Sequence, residues 1–582
     1  MSKSRRFVKL VAYLRPHWRA TTLGIIALLV VNGLGVYIPL LIRNCVDKLS
    51  EDFDYGQIIR YSILIISLSS SMWLIRMASR LWIFGVGRQV EFDLKQQIFE
   101  HLLKLEPSYF ATNKAGDLIS RATSDVDNIR RLLGFVVLSF ANTIFAYALT
   151  LPVMFSINVE LSIAALALYP VMFFMVLLFS ERLRNQQTSV QENLSDISNL
   201  IQEDVSGISL IKIYAQEDNE RRAFAKQNHE LLQANLKLAK TRNTLFPLIG
   251  GLANISSLII IWIGASRIGT SLDVGDFVAL LIYIERLIFP TALLGFTITA
   301  YQRGEVSVDR VESIFSVEPK IKDYSNTIQL SREEIKGNLT ARNLTFTYPG
   351  SEFPALDNVN FNIIPGETIA IVGAIGSGKS TLANCLPRLL DIDNDQLFLD
   401  GIDITQIALT DLRDAIAYVP QDSYLFSTTI QNNIRYGDPL AEQQEVEAAA
   451  ELSQISSEIA NFPQQYNTLV GERGITLSGG QRQRTALARA MLVDAPVLIL
   501  DDALSSVDNQ TATQILKNLS SGTKRKTVVF ITHQLSAAAA ADRIFVMEKG
   551  KIVQTGTQIE LLQKPGLYRD LWSQHQVEEL LH

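Results

Sequence analysis

The chain has 582 residues, with 53 lysines and arginines against 59 aspartates and glutamates, and is 48% hydrophobic but only 19% charged. That length exceeds one ordinary core and predicts at least two domains, while the formal net charge of -6 argues against nucleic acid as the main partner. Two cysteines, Cys45 and Cys385, exclude a disulfide framework and a cysteine-based metal site.

The apolar residues concentrate in the first half. Six stretches, at about 20–42, 57–84, 133–157, 161–180, 245–268 and 277–300, each reach the roughly 20 residues that a helix needs to cross a bilayer. The fourth, "LSIAALALYPVMFFMVLLFS", carries no charge. Six such runs predict an α-helical membrane domain over about 1–315 rather than a set of buried soluble helices. The opening "MSKSRRFVKLVAYLRPHWRA" is basic and lacks acids, so the N-terminus is expected in the cytoplasm, and "DKLSEDFD" outside. The first apolar run is long enough to span and lacks a small-residue cleavage site, so no cleavable signal peptide is expected.

Residues 85–130 and 181–244 are long, charged and poor in breakers, and both fall on the cytoplasmic side. They predict extensions of the membrane helices, projecting about 30 Å if some 20 residues continue each one. "EPSYFATNKAGDLIS" (106–120) and "GISLIKIYAQEDNE" (207–220) interrupt them, offering Tyr109, Phe110 and Tyr214 as docking aromatics. Charges within the spans are few. Arg76 and Arg80, four apart on one helix face, either snorkel to the headgroups or line a cavity. Glu285 and Arg286 sit deeper and point about 100° apart, so at least one is expected to face a partner helix or a water-filled cavity. These four are the candidate substrate-cavity residues, and Glu285 on the path would favour cationic compounds.

A polar linker, about 316–338, precedes a region (339–582) in which short β-like runs alternate with helical ones, predicting an α/β domain. In "GETIAIVGAIGSGKSTL" a strand, Thr368 to Val372, runs into Gly373, Ala374, Ile375, Gly376, Ser377, Gly378, Lys379 and Ser380, then a helical start at Thr381. This GxxxxGKS loop lets successive N–H groups curl around phosphates; Lys379 would reach the β/γ-phosphates and Ser380 would ligate Mg²⁺. Pro387, about two turns into that helix, predicts a kink or an early end. Further on, "VLIL" ends in Asp501 and Asp502, one acid placed to hold the Mg²⁺ shell and the next to polarise the water that attacks the γ-phosphate.

Four more motifs stand with these: "PQD" at Pro420 to Asp422, "LSGGQRQR" at 477–484, "SSVD" at 505–508 and "THQ" at 532–534. In that order they resemble the Q-loop, signature, D-loop and H-loop of ATP-binding cassette (ABC) proteins. Six spans followed by one cassette resemble the exporter half-transporters of that family, above all the bacterial multidrug-type ones that often pair as heterodimers. The resemblance implies that Tyr348 stacks on adenine and that Gln421 links Mg²⁺ and the attacking water to the membrane domain. It implies that His533 contacts the γ-phosphate and that "TLVGERG" (468–474) senses the membrane helices. Leu477, Ser478, Gly479, Gly480 and Gln481 would serve the ATP of the opposite cassette, next to the D-loop residues Ser505, Ser506, Val507 and Asp508. The interruptions at 106–120 and 207–220 fall where the family has coupling helices. The metal set would be Ser380, Gln421 and Asp501; the catalytic set Lys379, Gln421, Asp502 and His533.

Asp502 departs from the family pattern, which has Glu there. A carboxylate one methylene shorter withdraws by about 1.5 Å, a misplacement that can cost on the order of 10²-fold in rate. The expected consequence is a slow ATP site in this chain and a heterodimer with a second half-transporter carrying Glu, with a homodimer as the alternative. The expected function is ATP-driven export of an amphipathic small molecule from the cytoplasm or inner leaflet of a bacterial-type inner membrane. A lipid or lipid-linked glycan flippase and an ATP-gated channel or regulator are the alternatives.

Overall fold

The computed structural model describes residues 3–51, 55–265, 267, 272–324, 327–520 and 525–581. The chain forms two compact units, residues 1–103 with 114–317, and residues 104–113 with 318–582.

In the first unit, six helices are long and apolar enough to cross a membrane: Val8–Leu49, Tyr55–Leu102, Ala115–Ile157, Val159–Ser206, Glu217–Ala265 and Val274–Phe315. Their lengths follow from the charge pattern. Tyr55–Leu102 has 48 residues and so runs about 70 Å, against a hydrocarbon core of about 30 Å. The polar remainder is helix outside the membrane, as the scarcity of breakers in 85–130 and 181–244 predicts. Pro39, Pro152, Pro247 and Pro290 lie inside these helices, where neighbouring helices and side chains can satisfy the freed carbonyls.

The extensions are held by ion pairs rather than by apolar packing alone. Arg6 pairs with Asp309 at 2.6 Å and Glu305 at 2.5 Å, and Lys9 pairs with Glu312 at 2.7 Å. Arg310 bridges Asp117 at 2.5 Å and Asp125 at 3.2 Å. These tie the N-terminal helix and the start of the third membrane helix to the end of the sixth.

Two short helices mark the interruptions, α1 (Pro107–Thr112) and α2 (Ile208–Ile213). Although α1 lies in sequence between the second and third spans, it clusters with the second unit. There Glu106 accepts hydrogen bonds from the N–H groups of Lys320 and Ile321. Tyr109 packs edge-on against Phe110, with ring centroids 5.4 Å apart. Tyr214, just after α2, is 68% exposed.

The second unit carries two sheets. The strands are β1 (Leu339–Phe346), β2 (Leu356–Ile363), β3 (Thr368–Gly373), β4 (Leu397–Leu399), β5 (Ile402–Asp403), β6 (Ile416–Val419), β7 (Val497–Asp501), β8 (Thr527–Ile531), β9 (Arg543–Glu548) and β10 (Lys551–Gly556). The smaller sheet is antiparallel with order β2-β1-β4-β5; the larger has order β10-β9-β3-β8-β7-β6 and is parallel from β9 to β6. Every residue of β3, β7 and β8 is buried, which is why these strands read as continuous apolar runs. Alternate residues feed two cores. Ile369 and Ile371 face the core that holds the smaller sheet, whereas Ala370 and Val372 face the core of the signature helix.

The linker is docked on the cassette. The Ile328 N–H donates to Gln406 at 2.7 Å and the Ala408 N–H donates back to Ile328 at 2.9 Å. The helix after β3, α3 (Lys379–Cys385), is short: it ends with Leu386 as its cap, immediately before Pro387, the early end expected of that proline.

Candidate nucleotide-binding and membrane-cavity sites

Strand β3 delivers the chain into a phosphate-sized turn. Gly376 and Gly378 have φ of +79° and +100°, a conformation that costs other residues steric strain. A Cβ at Gly378 would also lie 2.5 Å from the Ala355 carbonyl oxygen. Lys379 folds back over the loop, its Nζ donating to the carbonyls of Gly373 and Ala374, both at 2.9 Å. Burial lowers its pKa, opposed by the nearby Asp501 and Asp502. An incoming phosphate offers this ammonium a charged acceptor in place of two neutral ones.

Ser380 Oγ donates to Asp501 Oδ1 at 3.0 Å. The hydroxyl and the carboxylate expected to share Mg²⁺ are therefore adjacent, and both are the hard oxygen donors that this ion takes. Bound there, Mg²⁺ would neutralise charge on the phosphate oxygens. Asp501 is 2% exposed, and burial pushes its carboxyl above the usual range, opposed by hydrogen bonds from Ser380 and Tyr418. Tyr418 was not foreseen from the sequence. Its hydroxyl donates to Asn384 Oδ1 at 3.0 Å and lies 3.4 Å from Asp501 Oδ2. It is placed there by β6, the strand paired with β7.

The buried charge has a testable cost. A raised carboxyl pKa in the folded state favours the protonated form, so the ionised form weakens the fold above that pKa. Asp501→Asn is expected to raise the melting temperature of the nucleotide-free protein at pH 7. That gain should shrink as pH falls toward the ordinary carboxylate range, and the added stabilisation by Mg²⁺ with ATP should disappear. Thermal unfolding with and without Mg²⁺ and ATP checks both.

Asp502 sits one residue beyond β7 with φ +50°, in the left-handed region that Asp enters more readily than most residues. Its backbone is fixed on both sides. The N–H donates to Ile531 O at 3.1 Å, and the carbonyl accepts from Ser505 N–H at 3.2 Å, Ser505 Oγ at 2.9 Å and Gln483 Nε2 at 3.4 Å. Burial raises its carboxyl pKa; the neighbouring His533 is the largest opposing influence, so the two expected catalytic groups are brought together.

The Tyr348 hydroxyl lies 3.2 Å from Thr381 Oγ1, and its ring meets Phe346 edge-on at 5.0 Å. It is 41% exposed, leaving ring surface beside the loop for stacking. The helix α4 (Gly479–Val493) starts on a capping box: Ser478 Oγ accepts from the Gln481 N–H at 3.3 Å, and Gln481 Oε1 accepts from the Ser478 N–H at 2.9 Å. Gln481 also donates to Glu458 at 2.8 Å, and Leu477 is buried beneath. The D-loop is bound to this helix by Gln483, a residue that its motif alone does not single out. Its Nε2 donates to Ser505 Oγ at 3.0 Å and its Oε1 accepts from the Ser506 N–H at 2.9 Å. Val507 is buried, and Asp508 accepts from the Thr511 N–H at 2.9 Å, capping α5 (Asn509–Ser520).

Gln421 follows β6, the strand whose Val419 pairs with Leu500 of β7, just before Asp501. It is exposed and lines a cavity of about 580 Å³ with Gly479, Gln483 and Ser506. Among the described residues no hydrogen bond ties it to Ser380 or Asp501. The chain turns out of β6 at Pro420, toward the signature helix.

In the membrane unit, Arg76, Arg80 and Arg286 line one cavity of about 660 Å³, with Asn32, Phe84 and Phe289 among its walls. Glu285 does not join them. It is exposed and absent from the lining, because adjacent helical residues point about 100° apart and Arg286 takes the inward direction. In the single chain Glu285 therefore presents its carboxylate away from this cavity, on an exposed face.

Two family descriptions match the chain, the ABC transporter transmembrane region over residues 21–291 and the ABC transporter domain over residues 356–505. The chain is 34% identical to the multidrug resistance-like ATP-binding protein MdlA of Escherichia coli (strain K12), over 99% of this chain and 98% of that protein. It is 32% identical to the ATP-dependent lipid A-core flippase of Pseudoalteromonas translucida (strain TAC 125), over 98% of both. A solved structure described as a bacterial Atm1-family ABC exporter with ATP bound matches with a TM-score of 0.75 and 25% identity, over 98% of this chain and 99% of that one. The chain therefore belongs to the ABC transporter family, as a multi-pass membrane exporter with a cytoplasmic ATP-hydrolysing domain.

Proposed function

We propose that the chain is one half of an exporter that moves an amphipathic compound by alternating access, with two ATP molecules sandwiched between two chains. Its own ATP site is the slow one, and its intact signature completes a fast site on a different partner chain. The observation that carries this reading is Asp502. Its carboxylate is one methylene shorter than Glu, and the hydrogen bonds on both sides of its peptide unit keep the backbone from advancing to make up the reach. The remaining machinery is intact, so the site binds ATP. Lys379 holds the phosphates, Ser380 and Asp501 the Mg²⁺, Tyr348 the adenine, and His533 the γ-phosphate.

A sandwich is needed on physical grounds. One open phosphate loop leaves the γ-phosphate in water, whereas the Ser478-capped helix of a second chain brings donors to its far side and excludes solvent. The test is ATPase activity of the purified chain alone and with a co-purifying second half, joined to ATP-dependent uptake into inverted vesicles. Strong turnover by the chain alone would refute the division of labour. A lipid flippase of the same architecture is the second reading, favoured by the similarity to a lipid A-core flippase.

Coupling makes a separate expectation. Tyr214 is left exposed beside α2, available to a cassette groove, and an aromatic anchor of that kind is worth about 2 kcal/mol or more. Tyr214→Ala should leave basal ATPase intact while transported compounds no longer stimulate it. Normal stimulation would refute the docking role.

A further inference from the structure

Two cavities of the membrane unit are lined by arginine and by no acid. The first is the 660 Å³ cavity with Arg76, Arg80 and Arg286, its other walls mainly aliphatic and aromatic. The second, about 360 Å³, gathers Arg131, Arg184, Arg242 and Arg303 from the third, fourth, fifth and sixth membrane helices, with Leu245, Phe246 and Phe296 beside them. Arg286 and Arg303 share the sixth helix, about 25 Å apart along its axis, so the cavities lie at different depths.

An excess of cytoplasmic arginine accounts for basic residues in loops. It does not account for four helices aiming arginines into one cavity, nor for three arginines in the deeper one. Arg131 pairs with Asp127 at 2.7 Å; among the described residues the other six form no ion pair. Arg76, Arg80 and Arg286 lie within the spans, where charges are costly and, when present, pair or mark a substrate pathway. Arg131, Arg184, Arg242 and Arg303 lie at the cytoplasmic ends of their helices, where it is their convergence on one cavity that points to a ligand.

Arg286 is built in. Its Nη2 donates to Asn32 O at 3.0 Å and lies 3.3 Å from Asn32 Oδ1, and Asn32 in turn donates to Asn142 Oδ1 at 3.1 Å and Leu28 O at 2.9 Å. Asn32 is 3% exposed. Any side chain at Gly35 would overlap the guanidinium, so the first span leaves that space open. The amide relay orients the guanidinium without neutralising it, and a guanidinium carries five N–H donors.

We infer that the transported compound is an amphiphile with an anionic head, a sulfonate, phosphate or carboxylate, received at the Arg184–Arg242–Arg303 cavity and held by Arg76, Arg80 and Arg286. This rests on the reading of the spans as an export path and names its substrate class. The head would take charge-assisted hydrogen bonds from the arginines while its apolar tail lies against Phe84 and Phe289.

The test uses a matched pair of dansylated dodecyl probes, one sulfonate and one trimethylammonium, titrated against the full chain with its partner in phosphatidylcholine nanodiscs. The sulfonate should bind at least about tenfold more tightly. Arg286→Gln and Arg76→Gln should each weaken it roughly tenfold or more, Arg286→Lys should restore part of the loss, and the cationic probe should not weaken. Equal binding of the two probes, or sulfonate binding unchanged in the Gln variants, would overturn the inference. ATP-driven movement is then read in vesicles for the sulfonate probe and for fluorescent phosphatidylglycerol. Movement of the lipid alone assigns the anion to a headgroup, and movement of the sulfonate probe to a soluble anion; both support the inference. Arginine-dependent binding without movement of either would defeat the export reading and leave the anion site standing.

Discussion

Ser478→Arg in this chain is expected to nearly abolish ATP turnover by the assembled transporter, whereas Asp502→Asn lowers it by less than about twofold. Ser478 is the cap of α4. Its loss frays that helix start at a cost of about 1 kcal/mol, and an arginine there fills the space of the partner's γ-phosphate. Removing such donors from a developing charge costs on the order of 10²–10³ in rate, and on the proposed division of labour the site lost is the fast one. If Asp502 serves the slow site, as proposed, its removal subtracts little. Asp502→Glu is expected to raise turnover by restoring reach. A symmetric dimer gives another pattern, in which Asp502→Asn is as damaging as Ser478→Arg because every site loses its water-polarising acid. ATPase rates of the three variants, measured side by side with the partner present, separate the two.

Gly378→Ala should cost ATP affinity at least tenfold. The left-handed backbone at this position penalises a Cβ by about 1–2 kcal/mol. The added methyl also meets a backbone oxygen, that of Ala355, which cannot swing aside as a side chain could. The loop must then open, moving the N–H groups and Lys379 off the phosphates, and about 1.4 kcal/mol is a factor of ten in affinity. Titration with a fluorescent ATP analogue reads this directly. Unaltered affinity would mean that the loop adapts and that its curvature is not set by Gly378.

What the sequence revealed divides along physical lines. Hydropathy and breaker residues were enough to foresee the six spans, their cytoplasmic extensions and the short helix before Pro387, because each depends on local composition. The phosphate loop and the strand ending in Asp501 were equally legible, since contiguous residues build them. Tyr418 and Gln483 were not, as they act across the sheet and across the gap from signature helix to D-loop, and neither neighbourhood is local in the chain. Glu285 and Arg286 were legible as a pair but not as a direction. Which of two adjacent helical residues faces inward depends on packing, here on the opening left by Gly35. Gln421, which the resemblance groups with the metal residues, follows the strand paired with β7 and also lines a cavity with signature residues.

The measurement closest to the central claim is the fate of ATP held by each chain. The complex is loaded with photoreactive ATP bearing separate labels on the α- and γ-phosphates, cross-linked after several turnovers, and the two chains are separated. The account predicts that this chain, through its Lys379–Asp502 site, retains both labels as intact ATP, while the partner retains only the α-label, as ADP. Equal loss of the γ-label from both chains would contradict it.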